Sequence, residues 1–166
     1  YGVIRQKNTK QLANYPWGGI PYETNDLGFR DDKFQKSGIL VVGNSFVEGF
    51  GVKKENRFTE LIEKKLHYPI NNSGSGGAWS AIQSYILVKE ITERYPELKK
   101  VIVILTPGEI LNIDSRTPKN DSTRNFPYKE NDSIAFYTSS QSSFTKHLSL
   151  KNMKIKFILS FFLQHG

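Results

Sequence analysis

The stretch ILVVGNSFVEGFGV, residues 39–52, determines the predicted fold. A short apolar run ends in Gly43, Ser45 follows two residues later, and Gly49 and Gly51 precede a helical pattern. A buried strand that ends in this way delivers a side chain to its carboxyl end, where open α/β sheets bind ligands. The stretch therefore favours ester chemistry with Ser45 as the nucleophile.

Around this stretch, the hydrophobic pattern alternates between strands and helices. It predicts strands over residues 38–42, 68–71 and 100–106, and helices over residues 55–66 and 78–95. The first helix should bury one face, formed by Phe58, Leu61, Ile62 and Leu66. The run VIVIL within residues 100–106 is the clearest candidate for a buried strand. Alternating strands and helices predict a parallel, three-layer α/β sheet with right-handed crossovers.

The 166 residues are expected to form a single domain with three parts. Residues 1–37 form an irregular lead-in, with a turn over residues 25–28 and then Arg30, Asp31 and Asp32 at the surface. Residues 38–113 form the strand–helix core. Residues 114–166 comprise a polar loop up to residue 143 and a basic, apolar helix over residues 152–164. Three strands make a small sheet, so we expect the domain to be incomplete in this chain, which reads as an N-terminal portion.

The composition excludes several kinds of functional site and several classes of protein. The chain has no cysteine, which excludes disulfides, thiolate metal sites and a cysteine nucleophile. No segment reaches the ~18 apolar residues of a membrane-spanning helix. The net charge is +7, and no acidic residue follows Asp132. We interpret this basic tail as a solvated surface rather than a nucleic-acid site, because no nucleic-acid-binding motif accompanies it.

Three other motifs that could explain these glycines do not fit their spacing. A phosphate-binding Walker loop starting at Gly43 would need a glycine where Glu48 stands. A dinucleotide-binding loop starting at Gly74 would need a glycine at Trp79. The nucleophile elbow of α/β-hydrolases would need a glycine at Val47.

Three loops are expected to meet at one edge of the sheet, because parallel strands end on the same side. They contain residues 43–45, 72–77 and 108–109. Ser45 could present its hydroxyl there and aim its backbone N–H at a developing oxyanion. The N–H of Gly77, or of Gly76 or Gly74, could be a second donor, since glycine lets backbone approach a substrate closely. Ordinary turn chemistry explains the same glycines and serine without any ligand, and both interpretations stay open.

Several segments together resemble the SGNH (GDSL-like) hydrolase superfamily. They are NDLGFR at residues 25–30, GNSF at 43–46, EGFGV at 48–52 and Asn72-x-Gly74-x-x-Gly77. The resemblance covers residues 22–112 and is closest to the branch of carbohydrate O-acetylesterases and alginate-type O-acetyltransferases. It implies a flavodoxin-like sheet, a serine nucleophile, no metal and no cofactor. Ser45 matches the nucleophile and first oxyanion donor, and Gly77 matches the second donor.

The chain departs from the family pattern in three places. Asn44 replaces the usual aspartate, which keeps the shape and loses the charge. Glu109 stands at the position of an asparagine oxyanion donor, and Asn112 is a possible substitute donor. The family's base is a histidine in an Asp-x-x-His motif, which none of the three histidines (His67, His147 and His165) matches. We expect that base beyond Gly166. A base of a different kind, with Glu109 as the nearest candidate, and a relative that only binds remain open.

Two functions follow from the resemblance. The first is a serine esterase or O-acetyltransferase acting on a small acyl ester or an acetylated glycan, with Gly74, Gly76 and Trp79 lining the substrate site. The second is a catalytically inactive carbohydrate-binding module. In that module, sugars would stack on Tyr15, Trp17, Tyr22 and Trp79. The resemblance also leans towards an exported or membrane-associated protein.

Overall fold

A computed structural model of the chain describes residues 5–76, 79–107, 109, 126–130, 133–137 and 148–149. Its strands are β1 (Lys10–Tyr15), β2 (Gly18–Glu23), β3 (Ile39–Gly43), β4 (Ile70–Gly74), β5 (Lys100–Ile104), β6 (Phe126–Glu130), β7 (Ser133–Tyr137) and β8 (Leu148–Ser149). Its helices are α1 (Ser45–Glu48), α2 (Phe58–Leu66) and α3 (Ala81–Arg94), with a 3-10 turn at Lys54–Asn56.

The central sheet is parallel and has the strand order β4-β3-β5. Gly43 at the end of β3 lies opposite Gly74 of β4 and Ile104 of β5, so the three strands end in register. The predicted strand–helix alternation and the mixed α/β class are confirmed. The bounds shift by a few residues, most for β4, which extends to Gly74.

Helices pack on both faces of this sheet because successive side chains of β3 point to opposite sides. Leu40 and Val42 pack with Leu87 and Ile91 of α3. Val41, between them, belongs to a second cluster, whose other members are Val47 and Ile70, with Ile39 and Phe58 packed against it. The strand is thus covered by α3 on one face and by α1 and α2 on the other.

The prediction of an irregular lead-in is wrong. β1 and β2 form an antiparallel hairpin across residues 16–17. β2 buries Ile20 and Tyr22 and exposes Pro21, which is the alternation of a half-buried strand. The pattern was hidden by two glycines and a proline, residues that are depleted in strands.

The surface position predicted for Arg30 is wrong. Its guanidinium is buried and donates to the carbonyl oxygens of Gly49 at 2.7 Å and Val52 at 2.9 Å. Asp31 is also largely buried, whereas Asp32 is exposed as predicted. Arg30 stays inside because the loop after α1 supplies carbonyl acceptors, a tertiary contact that local polarity does not reveal.

Two predicted apolar faces are exposed instead. Leu61, Ile62 and Leu66 of α2 face outwards, and the helix contacts the core through Phe58 and buried Thr59. Ile102 of β5 is 44% exposed and Ile104 lies on the same face. β4 and β5 are both edge strands of the described sheet, but β4 is buried throughout, whereas one face of β5 is exposed. The VIVIL run is therefore less buried than its hydrophobicity suggested.

The predicted polar loop over residues 114–143 contains two strands. β6 pairs with β7 and β7 pairs with β8, both antiparallel. The predicted helix over residues 152–164 lies outside the described residues. Within the described part of the chain, no helix has the length and apolar character to cross a bilayer.

Candidate functional site

The candidate site lies at the carboxyl edge of the sheet, where Ser45 follows β3 by two residues. Ser45 is the first residue of α1 and is half-buried, so its side chain is not enclosed in the core. Its N–H stands at the helix start, where backbone donors have no partner within the helix. Asn44 is the N-cap of this helix, since its side chain accepts from the Phe46 N–H at 2.9 Å.

Helix α1 lies directly on the end of β4, and Gly74 makes that approach possible. A methyl group on Gly74 would lie 2.1 Å from the backbone nitrogen of Glu48. Asn72 ties the same two elements together: its side chain donates to the Val47 carbonyl at 2.7 Å and accepts from the Gly74 N–H at 3.0 Å. The helix that carries Ser45 is thereby held at a fixed position relative to the glycine-rich loop.

An ion pair between buried Glu48 and half-buried Arg5 lies next to this loop. Glu48 is 1% exposed, and its Oε1 accepts from Arg5 Nε at 3.1 Å. Burial raises the pKa of Glu48, while the charge and hydrogen bond of Arg5 and the backbone N–H of Gly76 oppose that rise. Among the described residues, Oε2 of Glu48 has no hydrogen-bond partner of ordinary geometry.

A second charged cluster connects the lead-in to β4 and α2. Asp31 accepts from the backbone N–H of Asn72 at 2.8 Å and lies 3.3 Å from the buried guanidinium of Arg57. Burial raises the pKa of Asp31 to about 7, although the Asn72 N–H and the Arg57 charge both oppose the rise. Burial and the charge of Arg57 also lower the pKa of Arg30. Asp31 therefore titrates within the neutral range.

Glu109, at the position of the family's asparagine donor, is buried and does not face solvent. Its Oε2 accepts from the N–H of Thr106 at 2.5 Å and from the Thr106 hydroxyl at 2.9 Å. This arrangement is the glutamate half of a capping box, in which a residue three positions into a helix binds back to the N-cap. The sequence Thr106-Pro107-Gly108-Glu109 carries that signature, which could have identified the contact.

The aromatic residues divide into two groups. Trp79 is buried and donates from Nε1 to Ser84 Oγ at 2.8 Å, so its ring packs in the core and is not available to a sugar. Tyr22 is buried between the guanidinium groups of Arg5 and Arg30, 4.4 and 4.7 Å from its ring centre. Trp17 is 68% exposed and stacks on Tyr15 with a ring separation of 5.2 Å.

Several predicted site residues fall elsewhere. Gly76 is described and packs against Glu48, whereas Gly77 and Asn112 lie outside the described residues. His67 is exposed at the C-cap of α2, before the amino end of β4 and therefore at the edge opposite Ser45. His147 and His165 also lie outside the described residues. In the part of the chain that is described, no group of three or more acidic or histidine side chains could hold a metal ion.

Two open depressions, of about 370 and 390 Å³, flank α2 and are lined by residues such as Glu60 and Lys64. His67 lines the first of them, whereas Ser45, Gly74 and Gly76 line neither. In comparisons with known proteins, no family model, curated protein or solved structure matches this chain.

Proposed function

We propose that this chain is a serine ester hydrolase or O-acyltransferase of the SGNH type, acting on small acyl esters, including acetyl groups on carbohydrate. The observation that carries the proposal is the position of Ser45. It is half-buried at the carboxyl edge of a parallel sheet, on a helix packed against the glycine-rich loop after β4.

The order of the strands supports this proposal. Counted from β3, the order β4-β3-β5 reads 2-1-3, which is how the flavodoxin-like order begins. The chain moves to one side of β3 and then crosses to the other, so a crevice opens beside the carboxyl ends of β3 and β5. Ser45 follows β3 and Thr106 follows β5, so both residues border that crevice.

The proposed reaction is acyl transfer through Ser45. Its Oγ attacks the acyl carbonyl carbon while a general base takes the hydroxyl proton. The bond to the leaving oxygen then breaks as the base returns the proton to it, so that the alcohol departs and an acyl–serine ester remains. The N–H groups of Ser45 and Gly77, in the roles that the resemblance implies, would hold the oxyanion. Water or a sugar hydroxyl then takes the acyl group. His67, the one histidine among the described residues, is at the wrong edge to be the base.

Turnover of p-nitrophenyl acetate by the full-length protein tests this proposal. We expect Ser45→Ala to lower kcat/KM by at least about 10³-fold, because removing the nucleophile of a serine hydrolase has effects of this size or larger. A fluorophosphonate probe should label the native protein at Ser45. Ser37→Ala is the matched control, since Ser37 is exposed and precedes β3. Equal turnover by the native protein and Ser45→Ala would contradict the proposal.

The exposed position of Trp17 favours a second candidate, a carbohydrate-binding module without catalysis. One face of its ring is covered by Tyr15, and its Nε1 donates to the Gly51 carbonyl at 3.2 Å, so the indole is held in place while mostly exposed. The same probe distinguishes the two candidates. Covalent capture at Ser45 supports the enzyme, and glycan binding without capture supports the module.

A further inference from the structure

The ion pair of buried Glu48 and half-buried Arg5 has no part in the acyl-transfer steps above. Removing two charges from water costs free energy that their attraction offsets only when the geometry is good, so such a pair is weak support for stability by itself. Glu48 is nevertheless almost fully buried, and both Nε and one terminal nitrogen of Arg5 lie 3.1 Å from its Oε1. The other contacts of Glu48 and Arg5 indicate a different role for the pair.

Arg5 contacts the β1–β2 hairpin as well as Glu48. Its Nε also donates to the Tyr22 hydroxyl at 2.8 Å, and its guanidinium lies 4.4 Å from the centre of the Tyr22 ring. Tyr22 belongs to β2, and Glu48 ends the helix that carries Ser45. The ion pair therefore attaches the lead-in to α1.

The other side of the Glu48 carboxylate faces the loop after β4. A methyl group on Gly76 would lie 2.6 Å from Oε2, so the carboxylate packs directly against this backbone. The Gly76 N–H also points towards the carboxylate. Asn72 and Gly74 align the end of the strand with α1, and the Ser75 N–H donates to the Gly43 carbonyl at 2.9 Å. Glu48 contacts the next residue of the loop, Gly76.

We propose that Glu48 and Arg5 are positioning residues, which hold the loop backbone at Gly76 in a fixed place relative to Ser45. The inference rests on the proposed function, in which the residue that follows Gly76 in the sequence supplies an oxyanion donor. Displacing a catalytic group by about 1 Å can lower a rate on the order of 10²-fold. A carboxylate fixed by Arg5 on one side and packed against Gly76 on the other limits such displacement.

The kinetic test uses two variants of the full-length protein. Glu48→Gln keeps the size and removes the charge, and Arg5→Lys keeps the charge and removes the Nε donor. We expect each to lower kcat for p-nitrophenyl acetate by roughly 10- to 100-fold, with KM changed less than about twofold. Rates are normalised to probe-reactive Ser45, because a merely structural role would reduce the number of active sites and leave kcat per site unchanged.

Glu23→Gln is the matched control, since it makes the same chemical change in the exposed Lys10–Glu23 pair of the hairpin. It should leave both kcat and KM at their native values. Arg5→Lys keeps the test decisive if Glu48→Gln does not fold, because the Arg5 side chain is 33% exposed.

Amide hydrogen exchange gives a readout that does not depend on activity. In either variant, the amides of Ser75 and Gly76 should exchange about tenfold faster, while those of α3 keep native protection. Native kcat per site together with native exchange in both variants would overturn the positioning role. If Ser45→Ala retains turnover, the proposed esterase function is wrong. The exchange rates then still show whether Glu48 and Arg5 hold the loop backbone at Gly76.

Discussion

At the scale of single residues, Gly74 shows how the absence of a side chain positions the site. Its Cα faces the backbone of α1, where a methyl group would lie 2.1 Å from one backbone nitrogen. Backbone cannot rotate away as a side chain can, so the helix that carries Ser45 would have to move. Gly74 therefore contributes to the site through packing, because its N–H, a candidate oxyanion donor, already donates to the Asn72 side chain at 3.0 Å.

We therefore expect Gly74→Ala to reduce the free energy of unfolding by at least about 2 kcal/mol, in the range of overpacked cores. Urea denaturation measures this change. Gly19→Ala is the control, because only the exposed Leu12 side chain lies close to that position and it can move aside. Equal losses in the two variants would show that α1 does not pack on β4 as closely as described.

At the scale of elements, the charged cluster around Asp31 joins the lead-in to β4 and α2. The folded protein binds a proton on Asp31 up to a pH of about 7, compared with a usual pKa of 3.8. The stability that this proton contributes is complete below about pH 4 and is lost as the pH rises to about 7. The cluster thus makes the contact between these elements sensitive to pH.

Asp31→Asn should remove that pH dependence, because the amide keeps an acceptor for the Asn72 N–H and does not titrate. Between pH 4 and 7, we expect the native protein to lose on the order of 1–4 kcal/mol more stability than the variant. Denaturation at several pH values measures the slope, and Asp32→Asn is the exposed control. Parallel slopes for the native protein and Asp31→Asn would mean that Asp31 is already ionised at pH 4–5.

At the scale of the whole molecule, the sheet has a buried centre and an exposed edge among the described strands. Leu40 of β3 is fully buried beneath α3, whereas Ile102 of β5 is 44% exposed. The two strands look alike in sequence, since both are short runs of β-branched and aliphatic residues. Two similar strands therefore differ in how far their side chains are buried, and so in how much each side chain contributes to stability.

Leu40→Ala should cost about 2–5 kcal/mol, as truncations in well-packed cores do. Ile102→Ala should cost less than about 1.5 kcal/mol, because much of that side chain is already in contact with water. Denaturant unfolding of both variants tests the difference. A loss at Ile102 as large as that at Leu40 would show that another segment covers this face of β5.

The sequence by itself determined the local elements and their order. The apolar run before Gly43, the periodicity of α3 and the alternation of strands with helices are properties of neighbouring residues, and they led to a parallel sheet with Ser45 at its carboxyl edge. Proteins form such elements because side-chain periodicity must match the period of a helix or a strand. The β1–β2 hairpin was not predicted, because Gly18, Gly19 and Pro21 obscured the alternation of buried and exposed side chains in β2.

Only the tertiary structure decided which charges are buried and which apolar residues are exposed. Arg30, Glu48 and Arg57 look like surface residues in sequence, and they are buried because carbonyl groups and opposite charges from distant segments surround them. Trp79 looks like a ligand-binding aromatic and packs in the core. Burying a charge is favourable only when partners are brought to it, and those partners are set by the folded chain rather than by its local sequence.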